Sequence, residues 1–203
     1  MAKTEREEKK GCMGWVVVGV ILLGLLAFWT WRGQGPVAKG MEEAHELDGM
    51  AQVQAIVKGM NAYAADHGGA YPDGRTSTEV FQKLLDGHYV ADAKTFFVLT
   101  GGKFPADSNQ LDSRNVCFDV TAGASVKSPE DLPLVFTTGY DVTYAPDVNA
   151  KHATDIVGIL HGIAVGYKNG AAHFRREVQD GTVPNVFPAD AKGTDDDYRQ
   201  LKP

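Results

Sequence analysis

The sequence contains two cysteines, Cys12 and Cys117, and a thiol is the strongest nucleophile a side chain offers. Cys117 could serve a cysteine hydrolase, in which a neighbouring base accepts the thiol proton. No known nucleophile motif surrounds it, and it lies between Val116 and Phe118 in a pattern typical of a buried strand. We therefore predict a packed thiol, no catalytic residue and no enzymatic activity. A hydrolase that depends on Cys117 is the alternative.

Two groups of polar residues have side chains of the kind that bind metal ions. His152, Asp155 and His161 are close in sequence, but a zinc site needs three or four converging ligands, and no histidine pair has i, i+4 spacing. The segment Asp107–Asp112 carries the oxygen ligands that calcium prefers, without the spacing or the glutamate of an EF-hand. Such segments are usually turns that bond their own backbone. We predict no cofactor, and calcium stays open as the alternative.

The composition excludes some partners and allows a packed core. The 203 residues are 43% hydrophobic and carry a formal net charge of −6. This negative charge argues against nucleic acid as a partner, because phosphate binding requires concentrated lysine and arginine. The part of the chain after residue 31 has one cysteine, Cys117, and therefore cannot form an internal disulfide.

Residues 13–31 form an uncharged run of 19 residues with tryptophans near both ends. A helix of this length is about 28 Å long, close to the thickness of a bilayer core. Four basic residues precede the run and two follow closely, which predicts a cytoplasmic N-terminus. We expect a single-pass protein of the cell membrane whose C-terminal domain is periplasmic or extracellular.

The elements after the run begin with a joint rich in glycine and proline at residues 32–40. An amphipathic helix should then extend from about Met41 to His67, with its apolar stripe packed on a small antiparallel sheet. A shorter helix should follow Thr76, because its hydroxyl can cap the first turn. The apolar stripe of the long helix consists of Leu47, Met50, Val53, Ile56, Val57, Met60 and Tyr63.

Strands are expected after about residue 95. The candidates are 115–120, 134–138, 141–144 and a hairpin, 162–167 with 171–175, whose Asn169-Gly170 turn is a strong hairpin signal. The acidic segment 179–203 has little apolar periodicity and should be a loosely ordered tail. The predicted organisation is a leader at 1–12, a transmembrane helix at 13–31, a joint at 32–40, an α+β domain at 41–178 and the tail.

Two segments carry a resemblance to a known family. Asn61–Pro72 (NAYAADHGGAYP) and Leu84–Val90 (LLDGHYV) resemble the stretch where the first helix of type IV pilins and type II secretion pseudopilins ends in a glycine-containing loop with Tyr-Pro. The loop residues are Gly68, Tyr71 and Pro72. The resemblance covers roughly residues 10–98 and implies a pilin-like fold. It also implies prepilin-type cleavage between Gly11 and Cys12, although Val16 stands where the family has a glutamate.

The same resemblance implies a function. Members of this superfamily are non-enzymatic subunits whose N-terminal helices bundle into the core of a filament or secretion apparatus outside the cytoplasm. The implied partners are the membrane, copies of the chain, and other pilin-like or secretion subunits. Some pseudopilins also hold calcium in the region of Asp107–Asp112. The alternative is a monomeric, membrane-anchored, extracytoplasmic binding or scaffold module.

Overall fold

The structure, a computed structural model, describes most of the chain after residue 35. The described residues are 16–25, 28, 36–144, 150–153, 161–178, 180–184, 186–187 and 198–203. The chain divides into two compact units, Met1–Glu43 and Ala44–Pro203. The larger unit contains both sheets and the buried core.

The structure contradicts the predicted transmembrane helix. The described part of the apolar run is helical over residues 16–25 and at residue 28. No helix in the described residues is both long and apolar enough to cross a membrane. The predicted fold class and the single-pass, extracytoplasmic localisation, which depended on a transmembrane helix at 13–31, are therefore wrong for the part of the chain that the structure describes.

The long helix, α1, spans Pro36–Asp66. It begins earlier than predicted, so residues 36–40 belong to the helix and not to a joint; proline is favoured at the first helical position, where its missing N–H costs nothing. The helix ends where Gly68 and Gly69 take φ values of 65° and 91°. The Gly69 N–H donates to the Ala64 carbonyl oxygen at 2.8 Å. This left-handed cap closes the helix as expected.

A second helix, α2, spans Ser77–Asp86. The Thr76 hydroxyl accepts a hydrogen bond from the Glu79 N–H at 3.3 Å, as the sequence predicts. Its buried face consists of Val80, Phe81, Leu84 and Leu85. A short 3-10 helix follows at Ala93–Phe96.

The strands form two antiparallel sheets. The strands in chain order are β1 (Phe118–Ala122), β2 (Pro133–Thr137), β3 (Tyr140–Asp141), β4 (Ala150–His152), β5 (Gly162–Tyr167), β6 (Ala172–Arg176), β7 (Thr182–Val183) and β8 (Arg199–Leu201). The larger sheet has the order β6-β5-β2-β1-β8 and the smaller one β3-β4-β7. The predicted hairpin is β5–β6, in which Ala164 pairs with Phe174.

Two strand predictions need correction. The strand expected at 141–144 covers only Tyr140–Asp141. The segment 179–203 is not a loose tail where the structure describes it, because β7 and β8 lie within it. Strand β8 pairs with β1 in the register Val120 to Leu201. This pairing joins residues about eighty positions apart, so no local pattern could predict it.

Helix α1 packs directly on strand β5. The helix contributes Val53, Ile56, Val57, Met60 and Ala64 to the buried core. Strand β5 has small residues at alternate positions, and one of them, Gly166, allows the closest approach. A Cβ atom there would lie 2.8 Å from the Val57 Cγ2 atom and 3.1 Å from the Val53 carbonyl oxygen. The absence of a side chain at Gly166 therefore sets the helix-to-sheet distance.

Candidate interaction surface

The helical segment 16–25 is apolar on every side. Among its exposed side chains, Val16 is 60%, Val20 65% and Leu23 69% accessible. Because an α-helix turns about 100° per residue, eight large apolar residues within ten positions leave no polar face. The exposed residues are Val16, Val17, Val18, Val20, Ile21, Leu22, Leu23 and Leu25. A helix that is apolar all round is normally buried against other apolar groups.

The predicted stripe of α1 divides into two parts. Val53, Ile56, Val57 and Met60 are fully buried, as expected, while Met50 and Tyr63 are half-buried. Leu47 is 64% exposed, contrary to the prediction. It precedes Ile56 by nine residues, which is half a turn out of phase, so it lies on the opposite side of the helix.

In the segment that carries the family resemblance, Asn61 is hydrogen-bonded both to the loop after α1 and to the β5–β6 turn. The Tyr71 hydroxyl donates to Asn61 Oδ1 of α1 at 2.6 Å. The Asn61 amide in turn donates to the Lys168 carbonyl oxygen at the β5–β6 turn, at 3.0 Å. Burial and the nearby Glu130 carboxylate raise the pKa of Tyr71 to about 12. Pro72 is buried beside it. The Tyr71 hydrogen bond therefore holds the loop on α1, and Asn61 itself connects α1 to the hairpin.

A groove of about 500 Å³ lies beside this loop. Its walls include Tyr63, His67, Tyr71 and Pro72, and its floor includes the segment 121–125. The Tyr63 and His67 rings stack with centroids 3.7 Å apart, and Tyr89 meets Tyr63 edge-on at 5.2 Å. The size and the aromatic walls suit a small ligand or a peptide side chain.

Cys117 lies in the core. It is 1% exposed, and its thiol donates to the Val98 carbonyl oxygen at 3.3 Å. Burial raises the pKa of the Cys117 thiol, which disfavours the nucleophilic thiolate. The position agrees with the packed thiol that the sequence predicts.

The described residues of the two candidate metal groups make other contacts. No group of three or more histidine, cysteine or acidic side chains capable of holding a metal occurs among the described residues. His152 meets the Tyr140 ring edge-on at 5.3 Å, and Asp155 lies outside the described residues. In the Asp107–Asp112 segment, Asp112 Oδ2 pairs with the Arg114 guanidinium at 2.7 Å. The Arg114 guanidinium is therefore already paired with the Asp112 carboxylate that a cation would need.

Asp119 is a buried carboxylate that sequence patterns do not predict. This residue lies in β1, is 0% exposed and accepts a hydrogen bond from Gln200 Nε2 at 2.6 Å. Burial raises the pKa of Asp119 to about 6, although the Gln200 hydrogen bond lowers it in part. An acidic residue alternating with Phe118 and Val120 indicates a solvent-facing position. The expectation fails because both faces of β1 are covered.

The predicted cleavage residues, Gly11 and Cys12, lie outside the described residues. Comparisons of the chain with protein-family models, with curated proteins and with solved structures find no match.

Proposed function

We propose that the chain is a non-enzymatic structural subunit that assembles with copies of itself, or with related subunits, through its N-terminal apolar helix. The observation that carries the proposal is the exposure of eight apolar side chains on the helical segment 16–25. Full burial of one such side chain is worth about 1.5–3 kcal/mol. The free energy gained by burying several of these side chains together would exceed the free-energy cost of association.

The charge distribution favours the helical segment 16–25, rather than the rest of the surface, as the site where copies of the chain touch. The net charge of −6 makes copies of the chain repel one another. The segment 16–25 carries no charge, so close approach there costs no Coulomb energy. Identical apolar helices can also pack side by side through ridges and grooves.

The resemblance of Asn61–Pro72 and Leu84–Val90 to pilins and pseudopilins supports the same role. On this proposal the assembly is a pilin-like filament or part of a secretion apparatus. Within the larger unit, the Tyr71 hydroxyl then serves to hold the loop on Asn61 of α1, and Asn61 in turn connects α1 to the β5–β6 hairpin.

A charge placed on the helix tests the proposal. Light scattering coupled to size exclusion should show the purified full chain as defined multiples of 21.9 kDa. Leu22→Lys should reduce it to a monomer, because a buried lysine without a partner is costly. Phe104→Lys is the matched control, since Phe104 is 64% exposed in the larger unit and its replacement should leave assembly unchanged.

Two results would contradict the proposal: a parent chain that is monomeric, or a Leu22→Lys variant that assembles like the parent. A monomeric parent would favour the alternative, a binding module. The groove lined by Tyr63, His67 and Tyr71 is the observation that supports this alternative.

A further inference from the structure

Besides its backbone pairing with β1 and the buried side chain of Leu201, strand β8 is attached to the rest of the larger unit through the polar side chain of Gln200. Its Nε2 atom donates to Asp119 Oδ2 at 2.6 Å and to the Tyr140 carbonyl oxygen at 2.7 Å. Its Oε1 atom accepts from the Val142 N–H at 2.9 Å. Gln200 thus connects β8 to β1 of the larger sheet and to the end of β3 in the smaller one.

The other contacts of β8 are few or exposed, apart from its backbone pairing with β1 and the Leu201 side chain, which is 5% exposed. The strand has three residues and lies at the edge of the larger sheet. Lys202 forms an ion pair with Asp141, both about half-exposed or more, and its carbonyl oxygen accepts from the Ser77 N–H at 3.1 Å. Exposed ion pairs contribute little to stability. The Asp119–Gln200 hydrogen bond is therefore the buried side-chain hydrogen bond that connects β8 to β1.

Asp119 is poorly satisfied when it carries a charge. Its Oδ1 atom lacks a hydrogen-bond partner among the described residues. A buried carboxylate that gives up water needs two or more donors to compensate for the loss. Here only Oδ2 is bonded, so ionisation of Asp119 makes the closed arrangement less favourable than an open one in which water reaches the carboxylate.

We propose that β8 is a releasable strap, fastened by Gln200 to Asp119, and that a negative charge on Asp119 loosens it. Opening would remove β8 from the sheet edge and free the backbone groups of Val120 and Ala122, which pair with Leu201 and Arg199 when the strap is closed.

A charge on Asp119 has two opposite effects on the closed form of β8. The larger effect decides whether the charge stabilises or loosens the closed form. The charged carboxylate makes a stronger hydrogen bond with Gln200, but burial disfavours the charge. The pKa of Asp119 is raised from 3.8 to about 6, so burial has the larger effect. The closed form therefore binds a proton more tightly than an open form with an ordinary pKa. Closure is strongest at acid pH and weakens as pH rises towards 6, with no further loss above it.

The charged and titratable neighbours of Asp119 do not reverse this balance. Lys202, after β8, and Lys103, from the segment before β1, both lower its pKa, as does the Thr138 side chain. Thr138 does not make a hydrogen bond of normal geometry to Oδ1. Tyr144, after β3, has its own pKa raised by burial and by the charge of Asp119.

Hydrogen exchange of the full chain tests the strap. Protection factors for residues 198–203, corrected for the intrinsic pH dependence of exchange, should fall about tenfold between about pH 5 and about pH 7.5, given the two pKa values. Residues 162–167 of β5 should change less, because the strap opens without global unfolding. The titration of the Asp119 carboxyl carbon, followed by NMR, should share its midpoint with the β8 amides.

Two variants complete the test. Asp119→Asn should abolish the tenfold change, and Asp141→Asn, which breaks only the exposed ion pair with Lys202, should keep it. Equal protection at both pH values, an equal change in β5 and β8, or a surviving pH dependence in Asp119→Asn would each overturn the proposal. The NMR midpoint in the parent chain decides the question if the Asp119→Asn variant does not fold.

Discussion

At the scale of single residues, the Tyr71 hydroxyl is a contact whose contribution can be measured. Tyr71→Phe removes the 2.6 Å hydrogen bond and leaves Asn61 Oδ1 without its donor in a half-buried site. We expect the free energy of unfolding to fall by about 1–2 kcal/mol, measured by urea denaturation. Tyr89→Phe is the control, because the Tyr89 hydroxyl donates to the exposed Asp66. Equal losses in the two variants would contradict this account of the loop.

The burial of Cys117 predicts low reactivity. In a Cys12→Ser background, a thiol reagent at neutral pH should label Cys117 no faster than the core opens, because the thiol is 1% exposed and burial raises its pKa. Labelling should become rapid in denaturant, and mass spectrometry of the intact chain would follow it. Fast stoichiometric labelling of the folded chain would contradict the packed-thiol assignment and revive a nucleophilic role.

Residue patterns predicted the core better than they predicted the polar contacts. Val53, Ile56, Val57 and Met60 follow from helical periodicity alone and are buried. Leu47 is apolar like the other residues of the stripe, but it does not lie on the same side of α1. Asp119 could not be predicted, because its burial depends on strands that approach from distant parts of the sequence.

At the scale of elements, the contact between α1 and β5 depends on the missing side chain at Gly166. Gly166→Ala places a Cβ atom 2.8 Å from Val57 Cγ2, and overpacking of this kind costs about 1–3 kcal/mol. We expect a lower melting temperature for Gly166→Ala. The double variant with Val57→Ala should lose less than the sum of the two single losses, since the 2.8 Å contact with Val57 Cγ2 disappears while the one with the Val53 carbonyl oxygen remains. Strict additivity in calorimetry would show that Val57 does not lie against position 166.

The elements that were predicted correctly have strong local signals. Helix α2 has a capping threonine, α1 has a glycine cap, and the β5–β6 hairpin has its Asn-Gly turn. The wrong predictions concern residues 13–31, 141–144 and 179–203. In the last two, strand formation depends on pairing with distant partners, as β8 shows with β1. In the first, hydropathy measures how apolar the run is, and no helix among the described residues is both long and apolar enough to cross a membrane.

At the scale of the whole molecule, the charge on the chain and the apolar helix have opposite effects on association. Copies with a net charge of −6 repel one another, and this repulsion is long-range at low ionic strength. The apolar contact that we propose between segments 16–25 of two copies would be short-range and insensitive to moderate salt. The degree of assembly should therefore be set by the ionic strength, while the site of contact stays on the helix.

This balance predicts that salt promotes the proposed assembly. Raising sodium chloride from about 0.05 M to about 0.5 M shortens the Debye length from roughly 14 Å to about 4 Å, so the repulsion is screened. Sedimentation velocity of the full chain should show a shift to larger species at the higher salt. Leu22→Lys should remain monomeric at both concentrations, because screening cannot restore the apolar contact. Dissociation at high salt would instead indicate that ion pairs hold the copies together, and the helix could then no longer be the principal contact.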